Sequence, residues 1–352
     1  MSTLRQDPTT NEWVILAPRR AARPQLPERP ARPQLPAHDP ACPFCPGNES
    51  MTPPELARVS GPDGRWRVRV VPNRYEAVGA NGHNHRNGRT MLREMGGRGA
   101  HEVVIESQRH DARFDEMAER DTVEVLLTWR DRYRDLRRRP WARAIVVFKN
   151  FGPMAGTSLT HAHSQIVAVP VYPPAWLRAF DTAVRYFDDQ GRGLYDDLVR
   201  AERDAGERMI AERGRFTAFA PFAGGTPFET WIVPTFHQAS FGQLPDEDAG
   251  DLAALLRDVL HALRIAVDDP DFNLVVHSGP AEDVNRRLFR WHVRLLPKLT
   301  TPAGFELGSG MMINTVAPED AALALRGALA LSSNGHGAAH PPAAGGRPDD
   351  VP

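Results

Sequence analysis

Two cysteines, two lysines and a net charge of −1 are the scarcities that first constrain this 352-residue chain. With only Cys42 and Cys45, two residues apart, no disulfide framework can be built, and a cytoplasmic setting with metal binding is expected instead. The near-zero net charge gives no electrostatic reason to expect a nucleic acid or an anionic membrane as partner. Lys149 and Lys298 are the lysines, so the basic residues are nearly all Arg. Arg suits bidentate phosphate binding, although here it accompanies a general bias toward Arg, Ala and Pro. No apolar run reaches the ~18–20 residues that span a bilayer. The opening stretch from Met1 to Asp7 has no apolar core of the kind a secretory signal needs.

What is present suggests two domains of ordinary size, since the length exceeds that of a usual single domain. Residues 66–72, 102–106 and 144–150 read as strands. Residues 115–138, 174–212 and 246–266 read as mostly helical, the last with Leu252, Leu255, Leu256, Val259, Leu260 and Leu263 on one face. The Gly- and Asn-rich stretch 81–99 reads as a mobile loop, and the Gly, Ala, Pro and Asp-rich tail 332–352 as disordered.

The most informative stretch is His161-Ala-His163-Ser-Gln165, running into Ile-Val-Ala-Val. On a strand, side chains alternate faces, so His161, His163 and Gln165 share one face. Such a pair of histidines can be structural, metal-ligating or reactive. The small-residue loop Phe151-Gly-Pro-Met-Ala-Gly-Thr-Ser158 between two strands would bring backbone N–H groups close, as a phosphate site needs. Together with Gln165 and the upstream cysteines it favours chemistry.

A weak internal repeat lays residues 101–114 over 228–241, and 144–169 over 272–280 followed by 289–297. The His161/His163/Gln165 set then falls on Arg290, His292 and Arg294. Cys42-Pro-Phe-Cys45 has the spacing that lets both thiolates meet one tetrahedral ion, although a redox pair has the same spacing. The second half lacks cysteine and carries Arg290 where His161 stands, so a ligand set lost together points to Cys42, Cys45, His110 and His161 as one structural zinc site. His101 is the alternative to His110. His277 and His292 read as structural, and Trp291 as core.

These motifs, together with Glu12-Trp-Val-Ile-Leu16, Pro18-Arg-Arg-Ala-Ala-Arg-Pro24, Val71-Pro-Asn73, Phe148-Lys-Asn150, Gly156-Thr-Ser158 and Gly304-Phe-Glu306, resemble those of the galactose-1-phosphate uridylyltransferase family of the histidine-triad superfamily. The resemblance runs from about Arg5 to Arg326. It implies an α+β fold of two tandem histidine-triad-like domains, here 1–172 and 173–331, each an antiparallel sheet with flanking helices, assembled as a homodimer. It implies a ping-pong transfer of UMP between UDP-glucose and galactose 1-phosphate through a covalent uridylyl-histidine. It places the nucleophile at His163 and substrate contacts at Arg20, Arg23, Asn73, Asn150, Gly156, Thr157, Ser158, Gln165, Phe305 and Glu306. ADP-glucose phosphorylases and other nucleotidyl-transferring phosphorylases share the same motifs, so the base is left open. A non-catalytic nucleotide-binding zinc module is a further reading, opposed by the joint presence of His163 and Gln165.

Two departures stand out. Ala162 occupies a position where the family commonly has Pro, and Arg290 replaces a common His, so no second metal is expected. The chemistry suits the residues. A nucleophile attacking an anionic phosphate should be uncharged near neutral pH, and imidazole, with an unperturbed pKa of ~6.5, qualifies. Gln165 stands where histidine-triad hydrolases carry a third His; an amide can donate to a phosphoryl oxygen without delivering a proton to the leaving group.

Overall fold

The computed structural model describes residues 1–22, 32–83, 86–88, 91–279 and 288–335. The chain begins with a hairpin, β1 (Thr3–Gln6) and β2 (Trp13–Leu16). There follow β3 (Ala57–Ser60), β4 (Trp66–Pro72), the short pair β5 (Arg86–Asn87) and β6 (Glu94–Met95), then β7 (Ala100–Ile105). Helix α1 (Glu119–Arg137) leads to β8 (Ala144–Phe151) and β9 (His163–Val169). Helices α2 (Pro174–Gln190) and α3 (Leu194–Ala205) open the second half, followed by β10 (Met209–Arg213), β11 (Phe216–Phe219) and β12 (Thr230–Pro234). Helix α4 (Ala249–Ala266), β13 (Phe272–His277), β14 (His292–Pro297), α5 (Gly304–Ser309), β15 (Ile313–Asn314) and α6 (Pro318–Gly335) complete it.

Ten strands form one antiparallel sheet, in the order β10-β11-β12-β14-β13-β8-β9-β7-β4-β3. Read inward from either edge, the strands follow the same sequence in both halves, so the internal repeat is a structural one. The halves join where β8 pairs with β13, Asn150 opposite Asn273 and Phe148 opposite Val275. The sheet registers correct the alignment of the repeat by one residue. Val103 lies opposite Gln165, and Trp231 opposite Arg294. Once Gln165 is laid on Arg294, His101 falls on Glu229 rather than on Phe228.

Period-two alternation sorts the strands into two faces. One face carries Val104, Ile166, Val147, Leu274, Val293 and Ile232 into the main core, under α1, α4 and α6. Helix α1 contributes Val125, Leu126, Trp129, Tyr133 and Leu136, a helical stripe in which truncating Trp129 alone would cost about 3–5 kcal/mol. The other face is covered differently in each half. Over the second half lie α2 and α3, with Ala183, Leu194, Tyr195 and Val199 against Phe219, Trp231 and Val233. Over the first half lies the Cys42–Cys45 turn, with Phe44 against Val71, Val103 and Ile105.

Three expectations change. Residues 209–213 are strand β10 rather than helix; Gly206, in the left-handed region at φ +70°, ends α3 first. Strand β9 begins at His163, so His161 precedes it rather than opening it. The stretch 81–99 contains the β5–β6 pair, and α6 continues to Gly335, four residues past the expected end of order; residues 336–352 lie outside the described residues. Among the described residues no helix is long and apolar enough to cross a membrane.

Candidate active site and metal centre

Cys42, Cys45, His110 and His161 are all buried, and one ligand atom from each lies within 4.8 Å of every other. His161 Nε2 donates to the Ser107 carbonyl at 2.7 Å, which leaves Nδ1 with its lone pair facing Cys42 Sγ at 3.7 Å and Cys45 Sγ at 3.6 Å. His110 Nδ1 lies 3.5 Å from Cys45 Sγ, while its Nε2 meets Thr160 Oγ1 at 3.1 Å. Zinc-type bond lengths in a tetrahedron imply sulfur–nitrogen separations of about 3.6 Å. The four residues therefore fit one closed tetrahedral ion, with both rings oriented by outer hydrogen bonds. Burial raises the Cys42 thiol and pushes His161 down to about 4, so a cation would supply the charge this apolar pocket otherwise refuses. His101, the alternative ligand, is turned away and faces Gln165 instead.

Two residues beyond His161, His163 is buried against Phe44, with ring centres 5.5 Å apart. Its Nδ1 meets the His161 carbonyl at 2.8 Å. A carbonyl can only accept, so Nδ1 carries the proton and Nε2 keeps a free lone pair. Burial, reinforced by the Lys149 cation, lowers the His163 pKa below its ordinary value of 6.5. The residue whose Nδ1 faces the two thiols thus also sets the His163 tautomer through its carbonyl.

Beneath the strand, Lys149 Nζ donates to the His163 carbonyl at 3.1 Å and pairs with Glu106 at 2.5 Å, both side chains buried. The sequence reading did not single out this pair, although Lys149 sits within Phe148-Lys-Asn150 and is one of two lysines.

Gln165 lies on the face of His163, its Oε1 2.7 Å from His101 Nε2 and 3.5 Å from Asn73 Nδ2. Asn150 is on the same face, and the loop that follows it makes a 3-10 turn between Gly152 at φ +86° and Gly156 at φ +84°. Ser158 is exposed, and the Thr157 hydroxyl is buried with no partner among the described residues. The second half braces this loop. Asn273 Nδ2 donates to Asn150 Oδ1 at 2.8 Å and to the Ala155 carbonyl at 2.9 Å. Asp271 accepts from the Met154 N–H at 2.5 Å and from Arg32 at 2.6 Å. A Cβ on Gly152 would stand 2.1 Å from the Asp271 carboxylate, so this close approach requires glycine. Neither Asp271 nor Asn273 was picked out in sequence; each reaches the loop only through the β8–β13 seam.

The remaining sequence-predicted contacts fall elsewhere. Arg20, Phe305 and Glu306 line a separate hollow of about 510 Å³ with Ile15 and Ile313, where β2 pairs with β15. Glu306 there accepts from the Ala303 N–H at 3.0 Å, capping α5. Arg23 lies outside the described residues.

A family described as galactose-1-phosphate uridyl transferase, N-terminal domain, matches residues 1–173, and one described as a domain of unknown function, DUF4921, matches 98–332. An ADP-glucose phosphorylase of Arabidopsis thaliana is 36% identical, over 92% of this chain and 92% of its own length. The chain belongs to the galactose-1-phosphate uridylyltransferase family. A galactose-1-phosphate uridylyltransferase of Thermotoga maritima is 28% identical over 93% of this chain and 98% of that one. The solved structure of an Arabidopsis thaliana ADP-glucose phosphorylase with bound ADP-glucose superposes with a TM-score of 0.80 at 35% identity, covering 93% of this chain and 99% of that one.

The second copy keeps the frame of the site and fills it. His292 Nδ1 donates to the Arg290 carbonyl at 3.0 Å, as His163 does to His161. Its ring, however, is stacked between Trp231 at 4.3 Å and His277 at 5.1 Å, and burial drives it down to about 3. Arg290, at the position His161 has in the first half, donates to the Pro234 carbonyl at 3.0 Å and pairs with Asp196. Arg294 pairs with Glu229 at 2.6 Å, where Gln165 meets His101.

Proposed function

We propose that this chain moves a nucleoside monophosphate from a nucleoside diphosphate glucose to a phosphate acceptor, in two displacements through His163. The observation that carries the reading is the His163 tautomer: Nδ1 is tied to the His161 carbonyl and Nε2 has no hydrogen-bond partner among the described residues, on the face that Gln165 shares. In the first step Nε2 bonds to phosphorus and the bond from phosphorus to the sugar phosphate oxygen breaks. The departing sugar phosphate is a stable anion, so no strong acid is required. In the second step an acceptor phosphate oxygen forms the new bond and the nitrogen–phosphorus bond breaks. Gln165 donates to a phosphoryl oxygen, and Asn73, Asn150, Gly156, Thr157 and Ser158 form the surrounding donor surface. Cys42, Cys45, His110 and His161 hold one zinc ion, whose role is to fix the N-terminal loops and the approach to β9.

Two donors fit. The motifs favour UDP-glucose with galactose 1-phosphate as acceptor. The greater likeness to an ADP-glucose phosphorylase, 36% against 28%, favours ADP-glucose with inorganic phosphate, which is therefore the first donor to try. A homodimer belongs to the same proposal and is checked by sedimentation. Incubation with each donor followed by intact mass should give an added AMP or UMP, absent in His163→Ala and discharged by the matching acceptor. No adduct from either donor would refute the proposal.

A further inference from the structure

We propose that His101 is a positioning residue that fixes which end of the Gln165 amide faces the phosphoryl group; this rests on the nucleotidyl-transfer reading above. The orientation of a glutamine amide follows from its partners, and here two backbone donors decide it. The Ala77 N–H donates to His101 Nδ1 at 3.2 Å. A backbone N–H cannot accept, so Nδ1 is the unprotonated nitrogen and the neutral ring carries its proton on Nε2. That Nε2–H points at Gln165 Oε1, 2.7 Å away. Likewise the Tyr75 N–H donates to Asn73 Oδ1 at 2.8 Å, which makes the other Asn73 atom the amino group. Asn73 Nδ2 lies 3.0 Å from His101 Nε2, but a protonated Nε2 cannot accept from it. Its acceptor is the same Gln165 oxygen, 3.5 Å away.

Two donors therefore converge on Gln165 Oε1, and the Gln165 amino group is left to project toward the site. In the reverse orientation the Gln165 carbonyl oxygen would face the phosphoryl oxygens and repel them. The segment Tyr75–Ala77 thus sets His101 and Asn73, which set Gln165, which donates to the transition state. The second half has no such relay: Glu229, a pure acceptor, stands where His101 does, and it holds Arg294.

The test measures single-turnover formation of the His163 adduct, with ADP-glucose and UDP-glucose, in His101→Leu and His101→Gln, each alone and combined with Gln165→Ala. Loss of one transition-state donor costs roughly 10²–10³ in rate. His101→Leu should slow adduct formation by at least about tenfold, with donor KM nearly unchanged. His101→Gln, which keeps an N–H for the same oxygen, should recover most of that rate. In the Gln165→Ala background His101→Leu should have no further effect, because His101 acts only through Gln165. An equal slowing in both backgrounds would overturn the proposal, and so would a loss in KM with kcat preserved. Nitrogen-15 spectra of the wild-type chain read the His101 tautomer without any donor; a proton on Nε2 supports the relay and one on Nδ1 overturns it. Absence of an adduct in the wild type would instead overturn the function proposed above, and the tautomer would still test the relay.

Discussion

The two halves of the ten-stranded sheet are built on the same strand order, yet the histidines at corresponding positions lie under different covers. In each, a histidine at the start of the inner strand is tied by Nδ1 to the carbonyl two residues earlier, at 2.8 Å for His163 and 3.0 Å for His292. The backbone device that selects the tautomer is therefore common to both. What differs is the cover. Above His163 lies the Cys42–Cys45 turn with Phe44 against the ring, while Gln165 and Asn150 on the same face are half-buried. Above His292 lie α2, α3 and an aromatic stack of Trp231, His277 and Tyr195 that fills the corresponding space. The comparison teaches that one backbone device can set the same tautomer under two different covers, a cysteine-bearing turn in one half and stacked aromatic rings in the other. The second half has another task, since Asp271 and Asn273 hold the Gly152–Gly156 loop of the first half.

The largest effect should come from exchanging the two histidines' fates. His163→Ala should abolish transfer while leaving the fold intact. His292→Ala should leave transfer in place and cost about 2–4 kcal/mol of stability through lost packing, read by denaturant titration. Transfer lost equally in both variants would break the comparison.

Next is the metal. Stripping zinc with a chelator, or Cys45→Ser, should lower the melting midpoint by about 10 °C or more, because ion binding in such closed sites is folding free energy. Elemental analysis should find about one zinc per chain in the untreated protein. Since both halves share one sheet, both should melt together; a second half that stays folded would contradict that.

The brace comes third. Asn273→Ala leaves the Ala155 carbonyl without its donor, at a cost of about 1–3 kcal/mol, and should slow transfer about tenfold from a residue outside the first half. Unchanged kinetics would reduce the second half to a packing partner. Smaller still is the partition at Gln165: Gln165→His should raise hydrolysis relative to transfer.

The pH dependence follows from burial in both halves. His163, His277 and His292 all have pKa values lowered from 6.5 by burial, to about 3 for His292. Below pH 6.5 the unfolded chain takes up protons that the folded chain refuses, so stability is full above that pH and falls as the pH drops toward about 3. His163 stays uncharged over part of that range. The acid limb of adduct formation should therefore lie below pH 6.5, as a pH series of single-turnover rates would reveal.

Much of the site could be read in the sequence because its groups are local. The Cys-x-x-Cys spacing, the His-x-His-x-Gln strand and the paired halves are patterns of one to a few residues, and the residues chosen as ligands do come together. The repeat was aligned one residue out at His101, since Glu102 and Glu229 invite a match that the sheet registers do not make. Strand β10 was hidden because Met209-Ile-Ala-Glu-Arg213 is half polar and follows two helices. Asp271 and Asn273 were invisible for a different reason: more than 110 residues separate them from the loop they hold, and only the β8–β13 register joins them. Arg20, Phe305 and Glu306 could be named as a set but not located, because the small β1–β2–β15 sheet gathers them in a hollow of their own.

The central proposal, that His163 reacts and its counterpart His292 does not, is tested most directly by mapping the covalent adduct. The chain is incubated with ADP-glucose, and separately with UDP-glucose, quenched, digested and sequenced by mass spectrometry. The expected result is a single nucleotidyl group on His163 and none on His292. An adduct on His292, or on both histidines, would contradict the account.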